Sequence, residues 1–89
     1  MIQYPIKAGH TLENGAIVLD CQEIGVGQRE YLALCLWNQE EKVEYVSCLV
    51  FDGKAYYGKY ANSLFQAIDI YKTRLADNGI KGVVVDFRA

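Results

Sequence analysis

Proline, net charge and long apolar runs are all scarce in this sequence. One proline among 89 residues, with 52% apolar and 22% charged residues, excludes collagen-like, low-complexity and disordered chains. Nine Lys and Arg nearly balance eleven Asp and Glu, giving a net charge of -2, whereas nucleic-acid binders normally carry a basic excess. No apolar run reaches the roughly 18 residues of a membrane span, and residues 1–8 do not resemble an export signal. We therefore expect a cytoplasmic protein that binds no membrane and, judged by charge, no nucleic acid.

Cysteine is present in an odd number and without metal-binding spacing. Cys21, Cys35 and Cys48 lie 14 and 13 residues apart, no Cys-x-x-Cys pair occurs, and His10 is the single histidine. A structural zinc site normally needs four well-spaced ligands. We therefore expect buried reduced thiols, no metal and no cofactor.

Residues suited to catalysis are equally sparse. A cysteine nucleophile is usually activated by a nearby imidazole, and only His10 can supply one. Asp20 with Glu23, and the glutamates 40, 41 and 44, suit solvated strand and hairpin surfaces better than an acid and base pair. The glycines of 25–27 precede a predicted strand, whereas a phosphate-binding glycine loop precedes a helix. The sequence predicts no catalytic residue and no enzyme.

Alternation of apolar and polar residues predicts strands over 16–24, 29–37, 43–51 and 54–58. Asp52-Gly53 joins the last two strands and is favoured in two-residue hairpins, which makes these strands antiparallel. A further short strand at 3–7 would lie at a sheet edge or form an irregular arm, because Pro5 lacks an amide proton.

After Tyr60 the apolar residues recur at helical spacings of four, three and four. They are Leu64, Ile68, Tyr71 and Leu75. Ser63 with Gln66 fits a capping box, although Asn62 is an alternative N-cap, and Asn78-Gly79 fits a helix end. The sequence thus predicts a helix from about Ser63 to 77 or 78, followed by a strand at 80–87.

The predicted order is β-β-β-β-α-β in a single domain, 1–89. An α+β fold, with a curved antiparallel sheet of four to five strands packed on one helix, satisfies this order. We expect the helix-covered face to consist of Ile17, Leu19, Leu32, Leu34, Leu36, Val46, Val50 and the valines near Val84. A slip of one residue would exchange the two faces of a strand.

Tyrosines and lysines interleave along the hairpin arm that follows Asp52. Tyr56 and Tyr57 must point to opposite sides of a strand, while Lys54 and Lys59 flank them. In one interpretation the rings pack on the sheet and the lysines protect its edge. In the other they form a binding surface, because tyrosine is enriched at interfaces, or a narrower stacking platform for single-stranded nucleic acid.

Trp37 is a second candidate contact residue. It shares a strand face with Tyr31, Ala33 and Cys35, opposite the leucines, and no predicted helix covers this face. Either strand curvature or the N-terminal arm with its apolar residues at 2, 4 and 6 closes it, or it forms an apolar patch. Exposed patches of this kind mark association sites, of which a homodimer is the simplest.

Turn and aromatic residues give the chain a recognisable arrangement. Its parts are Tyr45-Val46, Asp52-Gly53, Tyr57-Gly58-Lys59-Tyr60, the helix start Ser63-Leu64 with Ala67 and Tyr71, and the opening Tyr4-Pro5 with 11–16. The arrangement resembles small accessory proteins of bacterial phages and mobile elements. This resemblance implies a protein that binds and blocks a host factor, for example an immune nuclease, and it transfers no functional residue.

We therefore predict a non-enzymatic protein-interaction module that inhibits or regulates a host protein. The predicted contact residues are Trp37, Tyr31, Lys54, Tyr56, Lys59 and Tyr60. The alternative is a small nucleic-acid-binding module that uses Lys54, Tyr56, Lys59 and Tyr60 of the same hairpin.

Overall fold

The computed structural model describes residues 8–24, 30–40, 42–52, 54–83 and 85. Within them lie β1 (Ile17–Glu23), β2 (Glu30–Gln39), β3 (Lys42–Phe51), β4 (Lys54–Ala61) and α1 (Leu64–Asp77). The strands form one open antiparallel sheet in the order β1-β2-β3-β4. The predicted α+β fold, a four-stranded antiparallel sheet followed by one helix, is thereby confirmed.

Of the two strands predicted near the ends of the chain, the structure describes residues of only one. The strand predicted at 3–7 lies outside the described residues. Of the strand predicted at 80–87, residues 80–83 and 85 have no strand conformation, and the others lie outside the described residues. Ile80, Val83 and Val85 instead pack, partly buried, against the cluster beneath the helix, so their apolar character serves the core without strand pairing.

Local signals set the hairpin and the helix as predicted. Asp52 has a φ of 53°, the left-handed conformation that a two-residue hairpin requires at its first central position. Ser63 is the N-cap of α1, and its side chain accepts a hydrogen bond of 3.2 Å from the Gln66 amide. At the other end Gly79 has a φ of 82°, and the Ile80 amide donates to the Leu75 carbonyl at 2.9 Å, which satisfies a terminal carbonyl.

Helix α1 covers one face of the sheet, here called the helix face. Its buried members are Leu32, Leu34, Ala61, Ala67, Tyr71 and Leu75. Leu19, Leu32 and Leu34 lie there as predicted, whereas Val46 and Val50 belong to the opposite face. Tyr45 and Leu49 take their places on the helix face.

The exchange on β3 has a simple physical cause. Both faces of this strand are apolar, so alternation alone cannot choose between them, and pairing with β2 decides. Leu49 pairs with Leu32, which fixes Leu49 on the helix face. Of the other predicted members, Ile17 is exposed, Leu36 is half-buried, and Val84 lies outside the described residues.

A bulge in β1 brings Leu19 and Asp20 to the helix face together. Val18 pairs with Cys35 and Asp20 pairs with Leu34, so β1 has one residue more than β2 at this point. A bulge of this kind redirects the side chains beside it. Here it allows Asp20 Oδ2 to accept a hydrogen bond of 2.7 Å from the Tyr71 hydroxyl.

The opposite face of the sheet is partly covered by the segment 8–16. Backbone hydrogen bonds join Gly9 and His10 to Val18 at 2.7 and 2.8 Å, and Leu12 and Ala16 are buried against the sheet. The buried residues of this face are Leu12, Ala16, Val18, Tyr31, Ala33, Cys35, Val46, Cys48 and Val50. The arm at 2–6, an expected cover of this face, lies outside the described residues; within them, the loop that follows the arm provides part of the cover.

Candidate functional site: a groove beside the edge strand

A groove of about 230 Å³ remains open on the opposite face, between the loop 14–16 and β4. Segment 8–16 covers the β1 side of this face but stops short of β4, the last strand of the sheet. The floor comes from the central strands and consists of Cys35, Val46 and Cys48. The surrounding walls are Asn14, Ala16, Trp37, Ala55, Tyr56, Tyr57, Gly58 and Tyr60.

A second bulge shapes the β4 wall of the groove. Ser47 pairs with Lys59 and Leu49 pairs with Tyr56, so Tyr57 and Gly58 together oppose the single residue Cys48. Tyr57 has a φ of 54°, a left-handed conformation that bulges of this type normally assign to glycine. A bulky residue in this conformation is strained, yet the Tyr57 side chain is 78% exposed. The ring therefore gains little packing in return for the strain.

Gly58 keeps the groove open. A Cβ atom added at Gly58 would lie 3.2 Å from Val46 Cγ1 and 3.5 Å from the Tyr60 ring. A larger residue at this point would press on the Val46 side chain and take up part of the groove.

Trp37 and Tyr60 form the aromatic end of the groove. Their ring centroids lie 6.1 Å apart with an interplanar angle of 33°, within the range of favourable aromatic pairs. They come from β2 and β4, with β3 between them, and Tyr60 remains 54% exposed. We call Trp37, Tyr57 and Tyr60 the aromatic rim.

The predicted contact residues do not form one surface. Trp37, Tyr56 and Tyr60 all line the groove. Tyr31, however, is only 4% exposed and belongs to the core of the same face. Tyr31 therefore does not line the groove with the other three residues, and its role as a contact residue stays a prediction.

The two lysines of the hairpin lie across the strand from the rim. Lys59 pairs with Ser47, which in turn pairs with Leu34 of the helix face. Lys54 precedes Ala55, whose partner Val50 belongs to the opposite face, so alternation assigns Lys54 to the helix face as well. The register thus separates both lysines from the Trp37 and Tyr60 pair, and it pairs Tyr56, which lies at the groove margin, with Leu49 of the helix face.

Sequence reasoning missed the residues that give the groove its shape. These are the loop residues Asn14 and Ala16, the bulge Tyr57-Gly58 and the two cysteines of the floor. A signal for the bulge was available, because a glycine inside a strand pattern often marks one. Nothing comparable marked Leu12, which lies between turn residues.

Burial and hydrogen bonding act differently on the three thiols. The sulfur atoms of Cys35 and Cys48 lie 3.9 Å apart. The hydrogen bond between them lowers the pKa of the Cys48 thiol, assisted by the positive charge of Arg74. The same hydrogen bond and then burial raise the pKa of Cys35. Burial first, and then the nearby charge of Asp20, raise the pKa of Cys21 to about 11.

The described part of the chain offers no other recognised site. Within it no group of three or more His, Cys, Asp or Glu residues is placed to hold a metal ion. None of its helices is long and apolar enough to cross a membrane. No family model matches the chain, and neither does a curated protein or a solved structure. Function is therefore inferred from the groove and the aromatic rim.

Proposed function

We propose that this protein is a non-enzymatic interaction module whose groove receives a side chain of a partner protein. The observation that carries the proposal is Tyr57, which combines a φ of 54° with 78% exposure. Backbone strain of this kind costs on the order of 1–3 kcal/mol and clusters at functional sites. Because the exposed ring makes few contacts within the chain that could offset this cost, contact with a second molecule best explains the strained conformation.

The size of the groove favours a protein partner over a small ligand. Sites for drug-sized ligands and cofactors usually measure about 300–1,000 Å³, and this groove measures about 230 Å³. One apolar or aromatic side chain fits such a space, with the aromatic rim around it. Interface hot spots have this form, in which an anchor fills a pocket bordered by Trp and Tyr.

The proposal also names a class of partner protein. The resemblance to small accessory proteins of phages and mobile elements supports a cytoplasmic host protein, such as an immune nuclease, whose activity this protein inhibits or regulates. The near-neutral net charge of -2 supports a protein partner over a polyanion.

Capture of partners from a bacterial lysate tests the proposal when the rim variants are compared directly. Wild type, Tyr57→Gly, Tyr60→Ala and Phe65→Ala are immobilised at equal density, and bound proteins are quantified by mass spectrometry. Phe65 is the matched control, because it is an aromatic residue with 86% exposure that lies on α1, away from the groove. We expect one stoichiometric protein that both rim variants lose and the Phe65 variant keeps.

Two results would contradict the proposed site. Equal recovery of the partner by the doubly substituted Tyr57→Gly, Tyr60→Ala chain would exclude the rim, provided that circular dichroism shows a native fold. Self-association of the wild type in light scattering, lost in the same variant, would make the partner a second copy of the chain and replace the host protein in the proposal.

A further inference from the structure

We propose that Cys35 and Cys48, in the floor of the groove, form a two-coordinate site for a single Cu(I) ion. The two sulfur atoms lie 3.9 Å apart, and both residues contribute to the floor of the groove, buried at 0% and 2% exposure. The site shares the groove floor with the proposed interaction, but it is tested by metal binding alone, without a partner protein.

The sheet register holds the two thiols together. Cys48 pairs with Ala33 and Cys35 pairs with Val46, so the two cysteines are diagonal neighbours on one face of the central strands. Side chains in this relation lie within reach of each other. Both strands have a paired neighbour on each side, which fixes the donor positions before any ion arrives.

The distance between the sulfur atoms suits one bridging ion. A metal–thiolate bond measures about 2.3 Å in zinc sites, so two such bonds in line would span about 4.6 Å. The observed 3.9 Å is shorter than this limit, and an ion between the sulfur atoms would therefore have a bent geometry. A small rotation of either side chain widens the angle.

The number and softness of the donors select the ion. A structural zinc ion takes four ligands, and no group of three or more candidate donors occurs in the described part of the chain. Magnesium and calcium require oxygen ligands. Thiolates are soft donors that favour Cu(I), and Cu(I) is stable with two of them.

The binding step balances without any redox change. Two S–H bonds break, two S–Cu bonds form, both protons pass to solvent, and copper remains in the +1 state. The Arg74 guanidinium donates to the Ser47 carbonyl at 2.7 Å, so its charge is held beside the Cys48 strand position and offsets the excess negative charge of the bound site.

Competition with a chromophoric chelator tests the proposal. Fully reduced protein is titrated under anaerobic conditions into the Cu(I) complex of bicinchoninate, and the loss of chelator colour is measured. We expect the wild type and Cys21→Ala to withdraw one ion per chain. Cys35→Ala and Cys48→Ala should bind Cu(I) more weakly by over about 100-fold. Loss of a residue that only supports a metal ligand costs at most about 100-fold in affinity, so a larger loss identifies a direct ligand.

Protection from alkylation provides a measurement that does not depend on how the variants fold. Wild-type protein is treated with iodoacetamide in mild denaturant, with and without one equivalent of Cu(I), and the labelled positions are identified by mass spectrometry. Selective protection of Cys35 and Cys48 supports the site. Failure of the wild type to withdraw copper, or equal protection of Cys21, would overturn the two-coordinate assignment. Neither outcome bears on partner capture by the aromatic rim.

Discussion

The Tyr71 hydroxyl on α1 donates a hydrogen bond of 2.7 Å to Asp20 in the β1 bulge. These residues are 51 positions apart, so the bond fastens the helix to the edge strand farthest from β4. Tyr71 is fully buried, and its ring packs among the leucines of the helix face. The helix is therefore held in place on the side of the sheet away from the groove.

Substitution of Tyr71 by Phe should lower the free energy of unfolding by about 1.5–3 kcal/mol. A hydrogen bond to a charged acceptor contributes about this much, and its removal leaves Asp20 without the donor. Urea unfolding of Tyr71→Phe, Asp20→Ala and the double variant measures the coupling. Strictly additive effects would show that the bond contributes nothing of its own.

Stability should fall at alkaline pH, and Tyr71 should account for part of the fall. Burial, and then the hydrogen bond to Asp20, raise its pKa above the ordinary 10.0. The neutral phenol is thus favoured in the folded state, so its contribution is complete below pH 10 and is lost progressively as the pH rises from 10 toward the raised folded-state pKa. Cys21, with a pKa raised from 9.0 to about 11, acts in the same direction from pH 9. Unfolding curves between pH 8 and 11 should be flatter for Tyr71→Phe and for Cys21→Ala than for the wild type.

Replacement of Tyr57 by Gly should raise stability while it abolishes partner binding. Glycine adopts the left-handed conformation freely, which relieves about 1–2 kcal/mol of strain. The matched control is Tyr60→Gly on the same strand, where φ is not positive and glycine should cost about 0.5–1 kcal/mol. Thermal unfolding of both variants gives the comparison. Destabilisation of equal size at the two positions would remove the strain argument for a functional Tyr57.

The fully buried Ser47 should be replaceable by Ala without loss of stability. Its hydroxyl oxygen has no hydrogen-bond partner among the described residues, and such a group costs about 1–3 kcal/mol to bury. We expect Ser47→Ala to gain about 1 kcal/mol in urea unfolding. Ser63→Ala provides the contrast, since it removes the bonded N-cap of α1 and should lose about 1 kcal/mol.

Single-stranded DNA should not bind with the steep salt dependence of a phosphate-binding surface. The register places Lys54 and Lys59 across β4 from Trp37 and Tyr60, so these two lysines would not lie beside bases stacked on the rim. Fluorescence anisotropy at low salt should detect no binding by the wild type. Tight binding that weakens with salt and requires both lysines would restore the nucleic-acid alternative.

The elements predicted correctly depend on local chemistry. The N-cap at Ser63, the helix end at Gly79 and the turn at Asp52 each need only a few neighbouring residues, and their spacing is legible in the sequence. The α+β class follows from the change of apolar spacing after Tyr60. These local features were enough to predict the hairpin, the helix and the α+β class.

What the sequence could not predict depends on pairing between distant residues. The face of Val46 is set by its neighbour Cys35 on β2, because both sides of β3 are equally apolar. Leu12 reaches the core within a segment whose Gly9 and His10 bond to Val18. The groove lies where the segment 8–16 leaves this face of the sheet uncovered. Its aromatic residues Trp37 and Tyr60 could be named from the sequence, but its outline could not.

Both edge strands of the sheet are interrupted by a bulge, at Val18 to Asp20 in β1 and at Tyr57-Gly58 in β4. Regular edge strands are templates onto which other copies of a chain can add, and bulges hinder such growth. The irregularity that exposes Tyr57 thus also protects against filament formation. Deletion of one residue at 57 or 58 would straighten β4, and we expect the shortened chain to aggregate edge to edge and to bind amyloid dyes.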